Sequence, residues 1–147
     1  LIRVGAYFTE DFDALDINNV EHIGNLEELR PFIAPDHSRT GWHGDKLIAA
    51  AGVVPMWPGV GLGWVLVDKS APHKLALARA MRKGVRDIVA EGPFHRVQAD
   101  VKKSYVQGQK FLKMLGFAPE GPLWAYTSDG EDFVRYSFVN RDLVVRD

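Results

Sequence analysis

The chain contains no cysteine. Disulfides, thiolate nucleophiles and thiolate metal sites are therefore excluded together, a composition that suits a reducing compartment. An excess of charge of either sign is lacking too. A formal net charge of −1 over 147 residues provides no basic field for nucleic acid or an anionic membrane. No stretch approaches the roughly 20 apolar residues that span a bilayer. The longest apolar run, residues 47–57, is short and is broken by Gly52 and Pro55. The five histidines are scattered without metal-ligand spacing, so no metal site is expected. Also missing are a Gly-x-Ser-x-Gly elbow, a Walker loop, a Gly-x-Gly-x-x-Gly turn after a strand and a His-Glu-x-x-His helix. The glycine-rich run Gly59-Val60-Gly61-Leu62-Gly63 leads into a strand, so no helix dipole is offered there to a phosphate.

What is present reads as one soluble domain over residues 1–147, with 46% hydrophobic and 25% charged residues and enough chain to bury a core without staples. Residues 2–7 form a strand candidate. Thr9 is placed to cap a helix whose first turn carries Glu10 and Asp11, and residues 20–32 read as a second helical stretch. Trp42 and His43 fall in an expected edge strand. Residues 46–56 and 61–67 read as strands joined through Trp57-Pro58-Gly59. Pro72 sits where a helix can start, and Leu77, Met81, Val85 and Ile88 form one apolar stripe along residues 72–91. The basic residues Arg79, Arg82, Lys83 and Arg86 lie on the opposite, solvated face. A strand over 97–101, a helix over 103–115 and strands over 117–126 and 133–139 complete the chain, with Ser128-Asp129-Gly130 as the last turn.

Residues 100–117 are the most informative segment. A strand ends near Val101, a helix directs Val106, Phe111, Leu112 and Leu115 toward a core, and Gly116 closes it as a left-handed cap before Phe117. This strand, helix and Leu-Gly-Phe exit resembles the fourth motif of the GNAT acetyltransferases, and the element order is similar from end to end. The resemblance implies an α/β fold, a mixed, twisted sheet of about six or seven strands flanked by about four helices. It also implies a splay between the strands at 61–67 and 97–101, with acetyl-CoA as cofactor.

On that resemblance, the strand Gly63-Trp64-Val65-Leu66-Val67 and the helix after it form the cofactor-binding unit. Leu66, Val67, Lys69, Ser70, His73, Lys74, Tyr105 and Gly108 are its expected contacts. The family's pyrophosphate loop carries glycines so that phosphate oxygens can reach backbone amides. Here the loop is Lys69-Ser70-Ala71-Pro72-His73-Lys74, with no glycine between Gly63 and Gly84. It reads either as a variant anion site built on Lys69, Ser70, His73 and Lys74, or as a plain helix start with solvated charges. Many family members reprotonate the leaving thiolate with a tyrosine where this chain has Leu112. Gly108 reads either as room for a pantetheine arm or as close packing of a neighbouring strand.

No carboxylate occurs in residues 60–67, and His43 is the expected general base, or else a packing residue beside Trp42. Asp100 is expected to interact with the helix that follows, a terminal cap being one form of that contact. Trp42, Trp57, Trp64 and Trp124 line either an acceptor cleft or the core. Trp64, Phe111, Leu112, Lys113 and Gly116 also resemble a subgroup, the small acetyltransferase-like proteins encoded among the virion genes of short-tailed bacteriophages. That likeness implies work in the host cytoplasm or the virion. The chain is then either an acetyl-CoA-dependent N-acyltransferase acting on a protein amine, with weak or lost activity, or a non-catalytic partner of a virion protein.

Overall fold

The computed structural model describes residues 2–17, 22–92 and 94–143. Among the described residues there are seven strands: β1 (Ile2–Ala6), β2 (Ser38–His43), β3 (Lys46–Trp57), β4 (Val60–Val67), β5 (Arg96–Lys102), β6 (Ala118–Leu123) and β7 (Phe133–Val139). The same residues form four α-helices: α1 (Asp11–Ala14), α2 (Leu26–Leu29), α3 (Lys74–Glu91) and α4 (Val106–Met114). The strands form one sheet in the order β1-β2-β3-β4-β5-β7-β6. Every pair is antiparallel except β4 and β5. The expected mixed α/β sheet is therefore the observed one.

Strand parity divides the core into two layers. On one face, Val65, Val97, Ala99, Val101 and Tyr136 pack against Leu77, Met81 and Ile88 of α3 and Leu112 of α4. On the other, Trp64 and Leu66 pack with Tyr7, Leu15, Leu26 and Leu29 around α1 and α2. Trp64 is thus a core residue, whereas Trp57 and Trp124 are mostly exposed. The apolar stripe of α3 meets the sheet as its periodicity predicts, and Arg79, Arg82, Lys83 and Arg86 face solvent.

The parallel pair is short. Val60 to Gly63 match Arg96 to Ala99, and beyond that register the two strands part. Ile23 fills the parting, bridging Val65 on one side and Val101 on the other. It exchanges two backbone hydrogen bonds of 3.1 Å with Val65, and the Gly24 N–H donates to the Asp100 carbonyl at 2.7 Å. The splay expected from the resemblance is present, and both long helices flank it on the same face of the sheet.

Several local expectations give way to tertiary context. Thr9 does not cap α1; Glu10 occupies that position, and Asp11 accepts instead from the Phe8 amide at 2.9 Å. The stretch at 20–32 is helical only from Leu26, with a 3-10 turn at Arg30–Phe32 where Pro31 supplies no amide; residues 20 and 21 lie outside those described. Trp42 and His43 belong to an interior strand, because β1 pairs outside β2. α3 starts at Lys74 rather than Pro72, since His73 adopts a left-handed φ of 53° that interrupts helical geometry. α4 starts at Val106, and Val106 itself is exposed because it lies in the first turn, off the buried face.

Asp100 is not a cap either. Its carboxylate accepts from Arg135 Nε at 2.9 Å and Nη2 at 3.0 Å, and from the Tyr126 hydroxyl at 2.8 Å. Burial and the adjacent carboxylate push the Tyr126 hydroxyl up to about 12. With Asp100 only 3% exposed, truncating it strands the Arg135 guanidinium. Asp100→Ala should cost about 3 kcal/mol in urea denaturation; a loss below about 1 kcal/mol would show that solvent replaces the carboxylate.

Gly116 has φ +96°, as a left-handed helix exit requires. A Cβ there meets nothing closer than 3.9 Å, so the penalty is conformational rather than steric. Gly116→Ala should lower stability by about 1 kcal/mol, and an unchanged midpoint would contradict the cap.

Candidate functional site

Where β4 and β5 part, the alternation of β4 turns Val65 and Val67 toward α3 and α4 and sends Leu66 to the opposite core. The space they floor is a cleft of about 440 Å³ between the two helices. Its walls are apolar: Ile23, Leu77, Ala78, Phe111 and Met114. Three ammonium groups, on Lys69, Lys74 and Lys110, line it as well. Val67 lies two residues beyond Val65, so its backbone polar groups point toward the same opening as those bonded by Ile23. A thin, largely apolar ligand with an anionic end matches this combination of walls and charges.

The loop entering α3 is organised by Asp68, which is 5% exposed. Its carboxylate accepts from the Asp16 amide at 2.8 Å, the Ser70 amide at 2.9 Å and the Ser70 hydroxyl at 2.6 Å. The Lys69 amide donates to the Asp16 carbonyl at 2.8 Å, and the Ala71 amide donates to the Asp68 carbonyl at 2.9 Å. Pro72 has no amide to offer. The Lys69, Ser70 and Ala71 amides are therefore already bonded within the fold. Positive charge at the helix entrance comes instead from Lys74 and from the N-terminal end of α3. Lys69 also pairs with Asp16 at 3.2 Å.

Of the residues expected at a cofactor site, Val67, Lys69, Lys74 and Tyr105 meet in this cleft. Leu66 is buried on the far face, so only its backbone lies on the cleft strand. Ser70 is engaged by Asp68 and by the Lys46 ammonium. His73 stands outside the lining, its ring 5.7 Å from that of His43 at the end of β2. Gly108 packs closely: a Cβ there would lie 2.4 Å from the Tyr105 ring and 2.9 Å from Val101. Its absent side chain lets α4 approach β5. Leu112 is 1% exposed and belongs to the core.

Lys110, Met114 and Gln107 are cleft residues that the sequence reading missed. With Phe111 they fall at positions 107, 110, 111 and 114, one face of a helix, so their spacing was an available signal. Ile23 and His22 carried no such signal, because a wedge between strands has no periodicity.

A second cleft, of about 520 Å³, opens on the other face of the sheet. Phe12, Leu26 and Phe133 form its apolar side, and Glu28, Arg30, Lys102, Asp129 and Glu131 bring charge. Arg30 is paired with Asp13, and Lys102 lies 3.9 Å from Glu131.

No family model and no curated protein sequence matches the chain. Solved structures do. A ribosomal-protein-S5-alanine acetyltransferase from Vibrio fischeri superposes with TM-score 0.70 at 19% identity, covering 98% of this chain and 96% of that one. A ribosomal-protein-S18-alanine N-acetyltransferase from Escherichia coli gives 0.69 at 15% identity, covering 99% and 100%. An IAA acetyltransferase from Bacillus cereus gives 0.72 at 12% identity, covering 95% and 100%. At these identities the likeness establishes the fold: the chain has the fold of the GNAT acetyltransferases over nearly its whole length.

Burial alone would raise the Asp68 carboxyl, but the Ser70 hydroxyl and the Asp16 and Ser70 amides outweigh it and hold the group below the ordinary carboxylate range. A lowered folded value contributes stability that is complete above the unfolded value of about 4 and drains as pH falls through the folded one. Melting temperature should therefore fall more steeply below about pH 4 in the native protein than in Asp68→Asn. Parallel acid limbs would remove Asp68 as the organiser of the loop.

Proposed function

We propose that the protein is an N-acyltransferase that takes an acyl-CoA thioester, acetyl-CoA in the simplest case, into the cleft between α3 and α4. The observation that carries this reading is the coincidence of the β4–β5 parting with an apolar floor and three lysines. The donor set fits the ligand's chemistry. Val65, Val67, Phe111 and Met114 suit a thin apolar arm, and Lys69, Lys74 and Lys110 suit phosphates. When bound, acetyl-CoA supplies a thioester carbonyl open to attack by an amine.

The same loop argues for weak binding. With the Lys69, Ser70 and Ala71 amides engaged internally, phosphate would be held by flexible side chains rather than by a preorganised backbone. Leu112 offers no proton to a departing thiolate, and β4 carries no carboxylate, so transfer should be slow. On the resemblance of Trp64, Phe111, Leu112, Lys113 and Gly116 to acetyltransferase-like proteins of short-tailed phages, the acceptor in this reading is an amine on a protein, met in the host cytoplasm or the virion. The committed loop amides also favour a second reading, a non-catalytic GNAT-fold component that docks on a virion protein.

A thermal-shift titration separates the two. Acetyl-CoA should stabilise the native protein at millimolar but not low micromolar concentration, and by about 2.7 kcal/mol at a hundred times the dissociation constant. Lys69→Ala and Lys74→Ala should each weaken binding by roughly tenfold or abolish it. No shift at any concentration would leave the non-catalytic reading standing. Micromolar affinity with both lysines removed would show that backbone amides hold the phosphates after all.

A further inference from the structure

The two clefts open on opposite faces of the sheet, and His22 lines both. Among the described residues no other does. Its position is not accidental. The next residue, Ile23, is 3% exposed and is locked into the parting by its paired bonds with Val65, and Gly24 is tied to Asp100. The imidazole is thereby carried at the junction, half-buried, by a backbone that cannot slide without breaking three hydrogen bonds. A reaction that joined a ligand in one cleft to a ligand in the other would run past His22, the described residue that the two linings share.

We propose that His22 is the general base of acyl transfer and that the second cleft receives the acceptor amine; this rests on the acyltransferase reading above. Histidine titrates near neutral pH and can take a proton from an ammonium group there. The titratable and charged groups lining the cleft on the α3 and α4 side are Asp68, Lys69, Lys74, Tyr105 and Lys110. From the other face they are Glu28, Arg30, Lys102, Asp129 and Glu131. Arg30 and Lys102 are engaged by Asp13 and Glu131, so Glu28 and Asp129 leave the second cleft with a negative balance that attracts a cationic amine. In the step itself, the ammonium gives one proton to His22, which passes it to solvent. The nitrogen bonds to the thioester carbonyl carbon and the C–S bond breaks. The second proton lost by nitrogen reaches the thiolate through water, leaving an amide and free CoA.

The test uses acetyl-CoA with three separate amines: spermidine, an alanine-led tetrapeptide and n-butylamine. CoA release is followed with a thiol reagent, which the cysteine-free chain leaves silent, and products are weighed by mass spectrometry. For an amine that is acylated, kcat in the native protein should rise through the histidine range between about pH 5.5 and 8. His22→Gln should lose about a hundredfold or more in kcat together with that limb, while its melting temperature and its acetyl-CoA shift stay native. His22→Ala should regain rate with added imidazole. If His22→Gln keeps kcat within about threefold and the same pH profile, the base is elsewhere and the acyltransferase reading survives. If the native protein is stabilised by acetyl-CoA yet acylates none of the amines, His22 has no such role. Absence of any acetyl-CoA shift overturns the acyltransferase reading and the base with it.

Discussion

Two parallel strands that begin paired and then part leave backbone donors and acceptors facing a gap inside the protein. Buried groups of that kind need partners. Here the chain supplies some of them itself, by threading Ile23 and Gly24 into the gap so that Val65 and Asp100 are satisfied. The remainder of the gap, beyond Val65, opens into the cleft between α3 and α4. The floor of that cleft, the entry of the chain into α2 and the placement of His22 all follow from how this one parting is closed.

The two ends of the cleft are built to different standards. Its apolar end is rigid, because Val65, Leu77 and Ile23 are core residues as much as lining residues. Its charged end is built from lysine side chains around a loop whose Lys69, Ser70 and Ala71 amides donate to Asp16 and Asp68. Side-chain ammonium groups attract phosphate but lose rotamer freedom in doing so, whereas fixed amides do not. A short loop has a limited number of amides. Those that stabilise the α1 side of the fold through Asp68 are not also available to a ligand.

Much of the fold was legible because it is written in short-range patterns. The stripe through Leu77, Met81 and Ile88, the hairpin at Pro58-Gly59 and the glycine exit at Gly116 each depend on residues within a turn or two of one another. The expected partners of Asp100 and the expected start of α3 failed for the converse reason. Asp100 is joined to Arg135, thirty-five positions away, by strand pairing between β5 and β7. Pro72 is well suited to begin a helix, yet the left-handed turn at His73 breaks helical geometry before Lys74. The candidate site was legible to the same depth: Val67, Lys69, Lys74 and Tyr105 come from the motif-bearing units, while Lys110 and Met114 needed only the helical spacing of α4.

By itself the sequence determined the element order, the glycine-free loop before α3 and the absence of thiol chemistry. These are properties of composition and local periodicity, and burial does not alter them. Only the tertiary structure decided that Ile23 lies between β4 and β5, that the Lys69, Ser70 and Ala71 amides are bonded within the fold, and that His22 lines clefts on both faces of the sheet. Each of those depends on where a segment without periodicity comes to rest. That is set by which buried backbone groups lack partners once the sheet has formed.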